Sequence, residues 1–449
     1  MSDTLDLKQR LLSEFSHRES SLNGSRETPL NILRREAMQR FQELGFPTIR
    51  NEEWKYANIM PAIALPFALS AGGNASALTQ DHVNSFAIQG VDAHVLVFIN
   101  GIYSREFSQV GHLPNGVIVG NVAEILKQSP DSLTEYFTHK SEKSEAFTAL
   151  NAALAQDGAF IAIPNGVLVE TPVHIMMITD SASGPVMVHP RHIITCGRSS
   201  GATIIHSAHT IGTNAGFTNS VANITVAENA NLRQYIVQND SDTAYSVQST
   251  FVRQERDSRY SAVTVTLGGA FVRNNHNAVL GGENSEANYY GVALGSKRQL
   301  IDNHTLADHA TPHCQSNELY KYILDDRSTG VFNGKIIVRE DAQKTNAYQS
   351  NKTILLSDTA TINTKPQLEI FADDVKCSHG ATSGQLDEEA LFYMRSRGIT
   401  ADKARALLLH AFAVDVLEHI TLEPLRIALD HLIAERLHDS SDDVFASAA

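Results

Sequence analysis

The central part of the chain alternates apolar and polar positions in short runs, between about residues 159 and 381. Asn, Gly, Asp and Ser separate the runs, and a period of two is typical of β-strands. The runs are 160–163, 173–177, 202–206, 221–226, 232–237, 250–252, 262–267 and 288–294. Short strands over such a length indicate a sandwich, a propeller or a β-solenoid. Because the successive runs 222–226 and 230–235 resemble two sides of one coil, we favour a parallel β-helix.

The N-terminal part of the chain carries a mixed, mainly helical pattern. Thr28 and Pro29 are typical of a helix start, and Gly45 is typical of a helix end. We expect the apolar stripe of this helix to comprise Leu33, Ala37, Phe41 and Leu44. Further elements are expected as strands at 94–100 and 116–120 and as helices at 131–137 and 144–154. The only tryptophan, Trp54, lies in the segment 50–56, where we expect an aromatic plug over the helix ends.

Helical periodicity returns after residue 384. Helices are expected at 387–397, 400–416 and 424–437. The second helix carries an apolar stripe of Leu407, Leu408, Ala411, Phe412 and Val416. A β-solenoid needs its two ends covered, so the stripe serves either to cap the solenoid or to bind a partner. The acidic segment 438–449 is expected to be disordered. These patterns divide the chain into a mixed helical region 1–155, a β-helix core 156–384 and a C-terminal helical region 385–449.

Charge and cysteine content narrow the class of protein. The formal net charge of −14 argues against sequence-independent nucleic-acid binding, which needs clustered Lys and Arg. Cys196, Cys314 and Cys377 are too few and too scattered for a disulfide framework. The N-terminus has no basic segment followed by an apolar run, and nothing approaches the roughly 18 apolar residues of a membrane span. We therefore expect a reducing, cytoplasmic location and no membrane contact.

Cys377 and His379 form the first candidate metal site. Because side chains alternate along an extended chain, the two residues project from one face, about 7 Å apart. A soft thiolate beside an imidazole suits a transition metal or iron–sulfur chemistry. In the alternative interpretation, the cysteine is a small buried hydrophobe and the histidine is structural. The pair supplies at most two of the roughly four ligands that a structural metal site needs.

A second group of candidate ligands comprises His309, His313 and Cys314, together with His304 and Asp308 in the same segment. Such clustering suits a metal site, but the coils of a β-helix also stack polar side chains without function. The segment 197–201 matches the nucleophile motif G-x-S-x-G, yet a strand-like pattern follows it where a helix is required. A Walker phosphate loop is absent. A β-helical carbohydrate-active enzyme remains the alternative to a non-catalytic scaffold, and sugar cleavage by the isolated chain would distinguish the two.

Several segments together resemble the SufD family of the SUF iron–sulfur cluster assembly machinery. They are 50–56 (RNEEWKY), 317–321 (NELYK), 331–334 (VFNG), 363–382 with its K-C-S-H-G motif, and 391–399 (LFYMRSRGI). The resemblance extends over nearly the whole chain. The segment 349–352 reads Gln-Ser-Asn-Lys and lacks the cysteine of the sister subunit SufB. The pattern is therefore similar to SufD rather than to SufB.

The resemblance implies a right-handed parallel β-helix between helical regions and a cytosolic complex with SufB and the ATPase SufC. It implies a scaffold subunit that pairs with SufB through the β-helices and has no enzymatic turnover of its own. His379 would face a SufB cysteine where the nascent cluster forms, with Cys377 beside it. Iron or a cluster would be shared transiently with SufB, and no cofactor would stay bound. The C-terminal helices would dock SufC. Whether the isolated chain forms a homodimer is left open.

Overall fold

The computed structural model of the protein describes residues 2–19, 28–70, 72, 78–129, 131–137 and 145–446, with side chains for 7–437 within these ranges. A β-solenoid of about eight turns forms its centre, and helical regions precede and follow it in the sequence. The mainly β, β-helical fold with flanking helical regions is therefore confirmed. Among the described residues, no helix has both the length and the apolar composition required to cross a lipid bilayer.

The helices and strands are numbered in chain order. The helices are α1 Ser2–Arg18, α2 Pro29–Leu44, α3 Met60–Ile63, α4 Gln80–Phe86, α5 Val122–Gln128, α6 Ala146–Leu154, α7 Glu388–Ser396, α8 Ala401–Leu417 and α9 Glu423–Ala446. The first strands are β1 Ala68–Leu69, β2 His94–Ile99, β3 Ile102–Gln109, β4 Ile118–Asn121, β5 Ala159–Ile163, β6 Val173–Asp180, β7 Val186–Val188, β8 Arg191–Cys196, β9 Gly201–Ile211, β10 Gly216–Val226 and β11 Asn231–Gln238. The later strands are β12 Ala244–Gln254, β13 Arg259–Thr266, β14 Phe271–Leu280, β15 Glu286–Gly295, β16 Leu300–His309, β17 Gln315–Leu324, β18 Thr329–Val338, β19 Asn346–Leu355, β20 Thr361–Thr364, β21 Gln367–Ile370 and β22 Lys376–Gly384.

Two long sheets form the walls of the solenoid. Sheet A has the order β20-β18-β16-β14-β12-β10-β8-β5-β4, and sheet B has the order β22-β19-β17-β15-β13-β11-β9-β6-β2-β3. The strands of the coils pair in parallel and in continuous register, whereas β4–β5 and β2–β3 at the start of the sheets are antiparallel. At the other end, the last strand of sheet B is β22, which pairs only with β19.

A left-handed residue recurs once per coil at the turn from sheet A to sheet B. These positions, all with positive φ, are Ser199, Asn229, Asp257, Asn284, His313 and Lys344. Asn, Asp and His tolerate this conformation better than most residues. Each backbone N–H donates to a carbonyl of the next coil, as Asn229 does to Arg256 at 2.9 Å and His313 does to Gln343 at 2.9 Å. The stacked turns thereby fix the register of successive coils.

The flanking helices cover the outer faces of the two sheets rather than the ends of the solenoid. The N-terminal helices pack with outward side chains of sheet A such as Phe217 and Phe271. The C-terminal helices pack with outward side chains of sheet B such as Ile205 and Tyr235. The expectation that the terminal helices cap the ends was therefore wrong in this respect. The outer faces of both sheets carry apolar side chains that must be buried, and the helices bury them.

The predicted strands coincide with observed strands but were mostly too short. The strands β14 and β16–β19 were anticipated only as a continuation of the β pattern. In β14, the sequence FVRNNHNAVL places Asn274 and His276 in the interior and Arg273 on a covered outer face, and all three are buried. The alternation is hidden because both faces are buried and the lumen itself contains polar side chains.

The helix α2 begins and ends as predicted, with Thr28 accepting a hydrogen bond from the Asn31 amide. Its buried face is offset from the predicted stripe, because Leu44 is exposed and Arg34 is buried. Arg34 Nη1 donates to Asn31 Oδ1 at 2.9 Å and its Nη2 donates to the Ala155 carbonyl at 2.8 Å, so two of the three guanidinium nitrogens are paired inside the protein. Hydrophobicity alone could not reveal a buried arginine.

Three further expectations need adjustment. The segment 131–137 forms a 3₁₀ turn at Thr134–Phe137 instead of a longer helix, and the helix expected at 144–154 begins at Ala146. The segment expected to be disordered from 438 onward is helical to Ala446, because α9 continues through it; residues 447–449 lie outside the described residues. Helix propagation costs little per residue once a helix is anchored by packing.

Trp54 does form an aromatic plug. Its ring lies against Phe147 with centroids 5.4 Å apart and stacks on Phe271 at 6.4 Å. The Arg273 guanidinium lies over the indole, 4.1 Å from its centroid. The residue is therefore an aromatic plug between α6 and sheet A, whereas the expectation placed the plug over helix ends.

Candidate functional site

The candidate pair lies on β22, the last rung of sheet B. Cys377 is in register with Ala347 and His379 with Gln349 on the neighbouring strand. Ala347 and Gln349 point into the lumen and are buried, so Cys377 and His379 continue the same inward columns at the open end. The expectation that both side chains share one face is confirmed. Since β22 has no neighbour beyond it, this face is accessible from the end of the solenoid.

The two residues differ in exposure. Cys377 is half-buried against the lumen core, and burial raises the pKa of its thiol above the usual value. His379 is exposed. A thiol must lose its proton to bind a metal, so ligation by Cys377 would have to overcome this raised pKa. Within the part of the chain that the structure describes, no three His, Cys, Asp or Glu side chains are grouped to hold a metal ion.

The surroundings of β22 are open to a partner. A β-carbon added at Gly380 or Gly384 would meet no atom within 4 Å. Ile370 and Phe371, at the end of the preceding strand β21, are exposed, Phe371 by 64%. An unpaired strand edge with exposed apolar side chains is typical of a surface that pairs with another chain.

The second candidate group is not brought together. Cys314 is buried in the lumen core beside Ser285 Oγ at 3.3 Å. His309 is buried with Nε2 2.9 Å from Ser316 Oγ, and burial lowers its pKa to about 4. His313 occupies the left-handed turn position of its coil and is exposed there. The three residues therefore have separate structural surroundings, and nothing here supports the metal site considered for them.

His304 belongs to a clamp that holds the segment 50–56 on sheet A. Its Nε2 lies 2.9 Å from Asp302 and its Nδ1 lies 3.5 Å from Glu53. Arg273 pairs with the same aspartate at 2.8 Å and donates to the Glu53 carbonyl at 2.6 Å. Burial and Arg273 oppose protonation of His304, but the two carboxylates outweigh them and raise its pKa. The hydrogen bond from His304 lowers the pKa of Glu53 to about 2.

Polar residues that the sequence did not single out lie inside the solenoid, on the coils that precede His379. Glu318 accepts hydrogen bonds from Thr305 Oγ1 at 2.6 Å and from Gln349 Nε2 at 2.9 Å. Glu318 and Gln349 occupy the same inward column as His379. The sequence could not indicate this contact, because Glu318 and Gln349 lie on different strands and come together only when the coils stack.

The predicted stripe of α8 does not form one surface. Val416 is fully buried against sheet B, Leu408 and Phe412 are partly buried, and Leu407 and Ala411 are exposed. Val416 is therefore part of the core and cannot contact a partner. The helix is rotated so that another set faces sheet B: Leu409, Ala413, Val416 and Leu417.

Lys321 helps to attach α8 to the solenoid, and an exposed helix adjoins α8. The Lys321 ammonium, on β17, pairs with Asp415, donates to the Phe412 carbonyl at 2.8 Å and lies 4.4 Å from the Phe412 ring centroid. The neighbouring helix α7 has no buried residue. Its Phe392 is 73% exposed and its Tyr393 is 58% exposed. The helices α7 and α8 contact each other, and we name their exposed apolar residues Phe392, Tyr393, Leu407 and Ala411 the α7–α8 surface.

Comparison with known proteins assigns the family. Residues 177–412 match the family described as SUF system FeS cluster assembly, SufBD core domain, and residues 5–175 match the SufBD protein N-terminal region. An iron–sulfur cluster assembly SufBD family protein of Synechocystis is 32% identical over 93% of each chain. The iron–sulfur cluster assembly protein SufD of Escherichia coli is 32% identical over 90% of this chain and 92% of its own. A chloroplastic protein of Arabidopsis thaliana, ABCI7, is 32% identical over 74% of this chain and 71% of its own. The chain therefore belongs to the SufBD family of SUF-system iron–sulfur cluster assembly proteins.

Proposed function

We propose that this chain is a scaffold subunit for iron–sulfur cluster assembly that contributes half of a cluster-binding site. The observation that carries the proposal is the position of His379 and Cys377 on an inward face at the unpaired end of sheet B. Iron or a nascent cluster is the cargo of this site, bound transiently and not kept as a cofactor. The chain itself has no catalytic turnover in this proposal.

Incomplete coordination explains why a partner is needed. A cluster held by one protein normally has about four ligands, and this end supplies two at most. The remaining ligands would come from a SufB subunit, whose β-helix would meet the edge of β22. A half-site also favours release, because a cluster with all its ligands in one chain is held more tightly. All three cysteines are free thiols, which suits a complex in the cytoplasm.

The α7–α8 surface is the proposed docking site for the ATPase SufC. Phe392, Tyr393 and Leu407 are exposed apolar side chains; Leu407 is on α8, which packs on the outer face of sheet B, and the two aromatic residues are on α7, which contacts α8. Exposed apolar surface of this kind marks protein-binding sites more often than chance. Motion of SufC could then reach the open end through α8 and sheet B.

The central experiment replaces His379 by Ala in the complex reconstituted with SufB and SufC. Cluster assembly, followed by visible absorption and by transfer to an apo-ferredoxin, should be lost while the complex remains intact on size-exclusion chromatography. His431→Ala is the matched control, because it removes an exposed histidine from α9. A normal cluster yield from the His379 variant would contradict the proposed role.

Docking is tested separately with Phe392→Glu and Leu407→Glu. Each should weaken capture of SufC at least tenfold and leave the solenoid folded by circular dichroism. Ile427→Glu on α9 is the control, since Ile427 is an apolar side chain of similar exposure outside the surface. Unchanged SufC binding by both variants would reject this surface. Phe412 is unsuitable for the test, because it also contacts Lys321.

A further inference from the structure

An inward column of side chains leads through the lumen to His379. Tyr289, Glu318, Gln349 and His379 occupy matching register positions on β15, β17, β19 and β22. The first three are almost completely buried, whereas His379 at the end is exposed. Neighbouring strands are about 4.8 Å apart, which places Glu318 about 10 Å from the His379 position.

Several polar atoms of these coils have no partner among the described residues. In the column they are Tyr289 OH, Glu318 Oε1 and Gln349 Oε1. Inward side chains of the same coils add His276 Nδ1, Asn351 Oδ1 and Thr353 Oγ1. Buried polar atoms without partners are rare in proteins, and ordered water usually satisfies them. Their alignment along the column that ends at His379 is the observation that requires an explanation.

The orientation of the amides shows what the lumen can bind. Gln349 Nε2 donates to Glu318 and Asn351 Nδ2 donates to the Tyr320 carbonyl at 3.2 Å. Each amide nitrogen thus donates to the protein, and the amide and carboxylate oxygens without a partner, Gln349 Oε1, Asn351 Oδ1 and Glu318 Oε1, are left to accept hydrogen bonds. Gly334 helps to fix this arrangement, because a β-carbon there would lie 1.8 Å from Gln349 Nε2. An occupant of this part of the lumen must therefore donate hydrogen bonds, as water does.

We propose that water molecules connect Glu318 with the open end beneath His379, and that the Glu318 carboxylate accepts the proton released when a thiol or hydrosulfide ligand binds iron there. The sulfur–hydrogen bond breaks, an iron–sulfur bond forms, and the proton passes through water to give the carboxylic acid. No electron is transferred in this step. The role of the proton rests on the proposed function, whereas the connection of Glu318 to water does not.

Glu318 is suited to this exchange by its surroundings. Burial raises its pKa to about 7, against the opposing hydrogen bonds from Thr305 and Gln349. The groups that face it stay neutral: burial raises the pKa values of Tyr289 and Tyr320 well above 10 and lowers that of His276 to about 4. Glu318 is thus the side chain in this neighbourhood that changes protonation near neutral pH, as proton-transfer groups do.

The test is an infrared titration of the isolated full-length chain. A buried carboxylic acid band should disappear with a midpoint near pH 7, and it should shift within the mixing time after transfer to deuterated water. Glu318→Gln should remove the band, and Glu283→Gln, at an exposed turn, should leave it unchanged. A carboxylate that stays ionised from pH 5 to pH 9 would overturn the proposal. Exchange over hours would equally exclude a connection through water.

A second variant keeps the proposal testable if Glu318→Gln does not fold. Gln349→Leu removes a hydrogen bond that lowers the pKa of Glu318, so the midpoint should move to higher pH. An unchanged midpoint contradicts the assignment to Glu318. In the reconstituted complex, Glu318→Gln should also flatten the pH profile of cluster assembly. If His379→Ala assembles clusters normally while the titration stands, the proposed function fails and the water-connected Glu318 remains.

Discussion

Replacing Lys321 by Met should loosen α8 from the solenoid. Lys321 is 2% exposed, and its ammonium contacts Asp415, the Phe412 carbonyl and the Phe412 ring at the same time. Met keeps most of the volume of the side chain but none of its hydrogen-bond donors. The variant therefore tests whether this one cation determines how firmly the proposed SufC-docking helix is attached to sheet B.

The size of the effect follows from the partners that are lost. A hydrogen bond from a charged donor contributes about 2 kcal/mol, and a desolvated cation–π contact contributes about 1–2 kcal/mol. Asp415 is 56% exposed, so water replaces its ion pair at little cost. Both magnitudes are already net of the cost of desolvating the ammonium, so no separate desolvation cost is subtracted. The loss is therefore about 3–4 kcal/mol, or roughly a 140- to 700-fold increase in opening of α8.

Amide hydrogen exchange measured by mass spectrometry reports this opening directly. Peptides from α8 should exchange faster in Lys321→Met, while peptides from β11–β15 keep their protection. Lys352→Met is a close control, because Lys352 is the register neighbour of Lys321 on β19 and is exposed. Exchange in α8 that matches the wild-type chain, or that rises equally in the control, would refute the reasoning.

Three further outcomes are expected. Trp54→Ala should lower the free energy of unfolding by about 3–5 kcal/mol in chemical denaturation, because a buried ring is lost. Because its pKa is raised in the folded protein, His304 stabilises the attachment of the segment 50–56 fully below about pH 6.5, and this stabilisation is lost as pH rises through the folded pKa. Because its pKa is depressed, Glu53 stabilises the attachment fully above about pH 4.3, and this stabilisation is lost as pH falls towards 2. Attachment of the segment 50–56, followed by hydrogen exchange, should thus be strongest between these values. Gly334→Ala should lower the melting temperature by displacing Gln349, at a cost of about 1–3 kcal/mol.

Each of these outcomes has a control in the same chain. Tyr56→Ala changes an exposed aromatic residue near Trp54 and should have little effect on stability. His304→Gln should remove the loss of attachment on the alkaline side, and an unchanged pH dependence would assign that loss to another group. Gly380→Ala adds a β-carbon where no atom lies within 4 Å, so its melting temperature should stay close to that of the wild-type chain.

The β-helix was predictable because its strands and turns carry local signals. Alternation marked the early strands, where an apolar lumen faces a less apolar exterior. Asn229, Asp257 and Asn284 occupy turn positions whose residue types already favour a left-handed conformation. The late strands were less clear, because Asn274 and Glu318 are polar and yet buried. The local pattern of a sequence shows which residues are polar, and it predicts burial correctly only where the buried residues are apolar.

The candidate site was predictable in part. The spacing of Cys377 and His379 determined that they share a face, and the structure confirms it. The same spacing could not show that β22 is the last strand of sheet B, because that depends on whether a later part of the chain pairs with its other edge. The stripe on α8 was misjudged at Val416, because five apolar residues exceed the face that a helix presents to one surface.

The sequence by itself determined the type of most long elements, several turn positions and the residues proposed to bear the chemistry, because backbone propensity and side-chain alternation act over a few neighbours. Tertiary structure alone decided which faces the helices cover, that Lys321 meets Phe412 some ninety residues away, and that Glu318 and Gln349 align with His379. These contacts depend on how coils of about thirty residues stack, and stacking register is a property of the whole solenoid. The proposed half-site therefore consists of Cys377 and His379, and it is accessible because β22 is the last strand of sheet B.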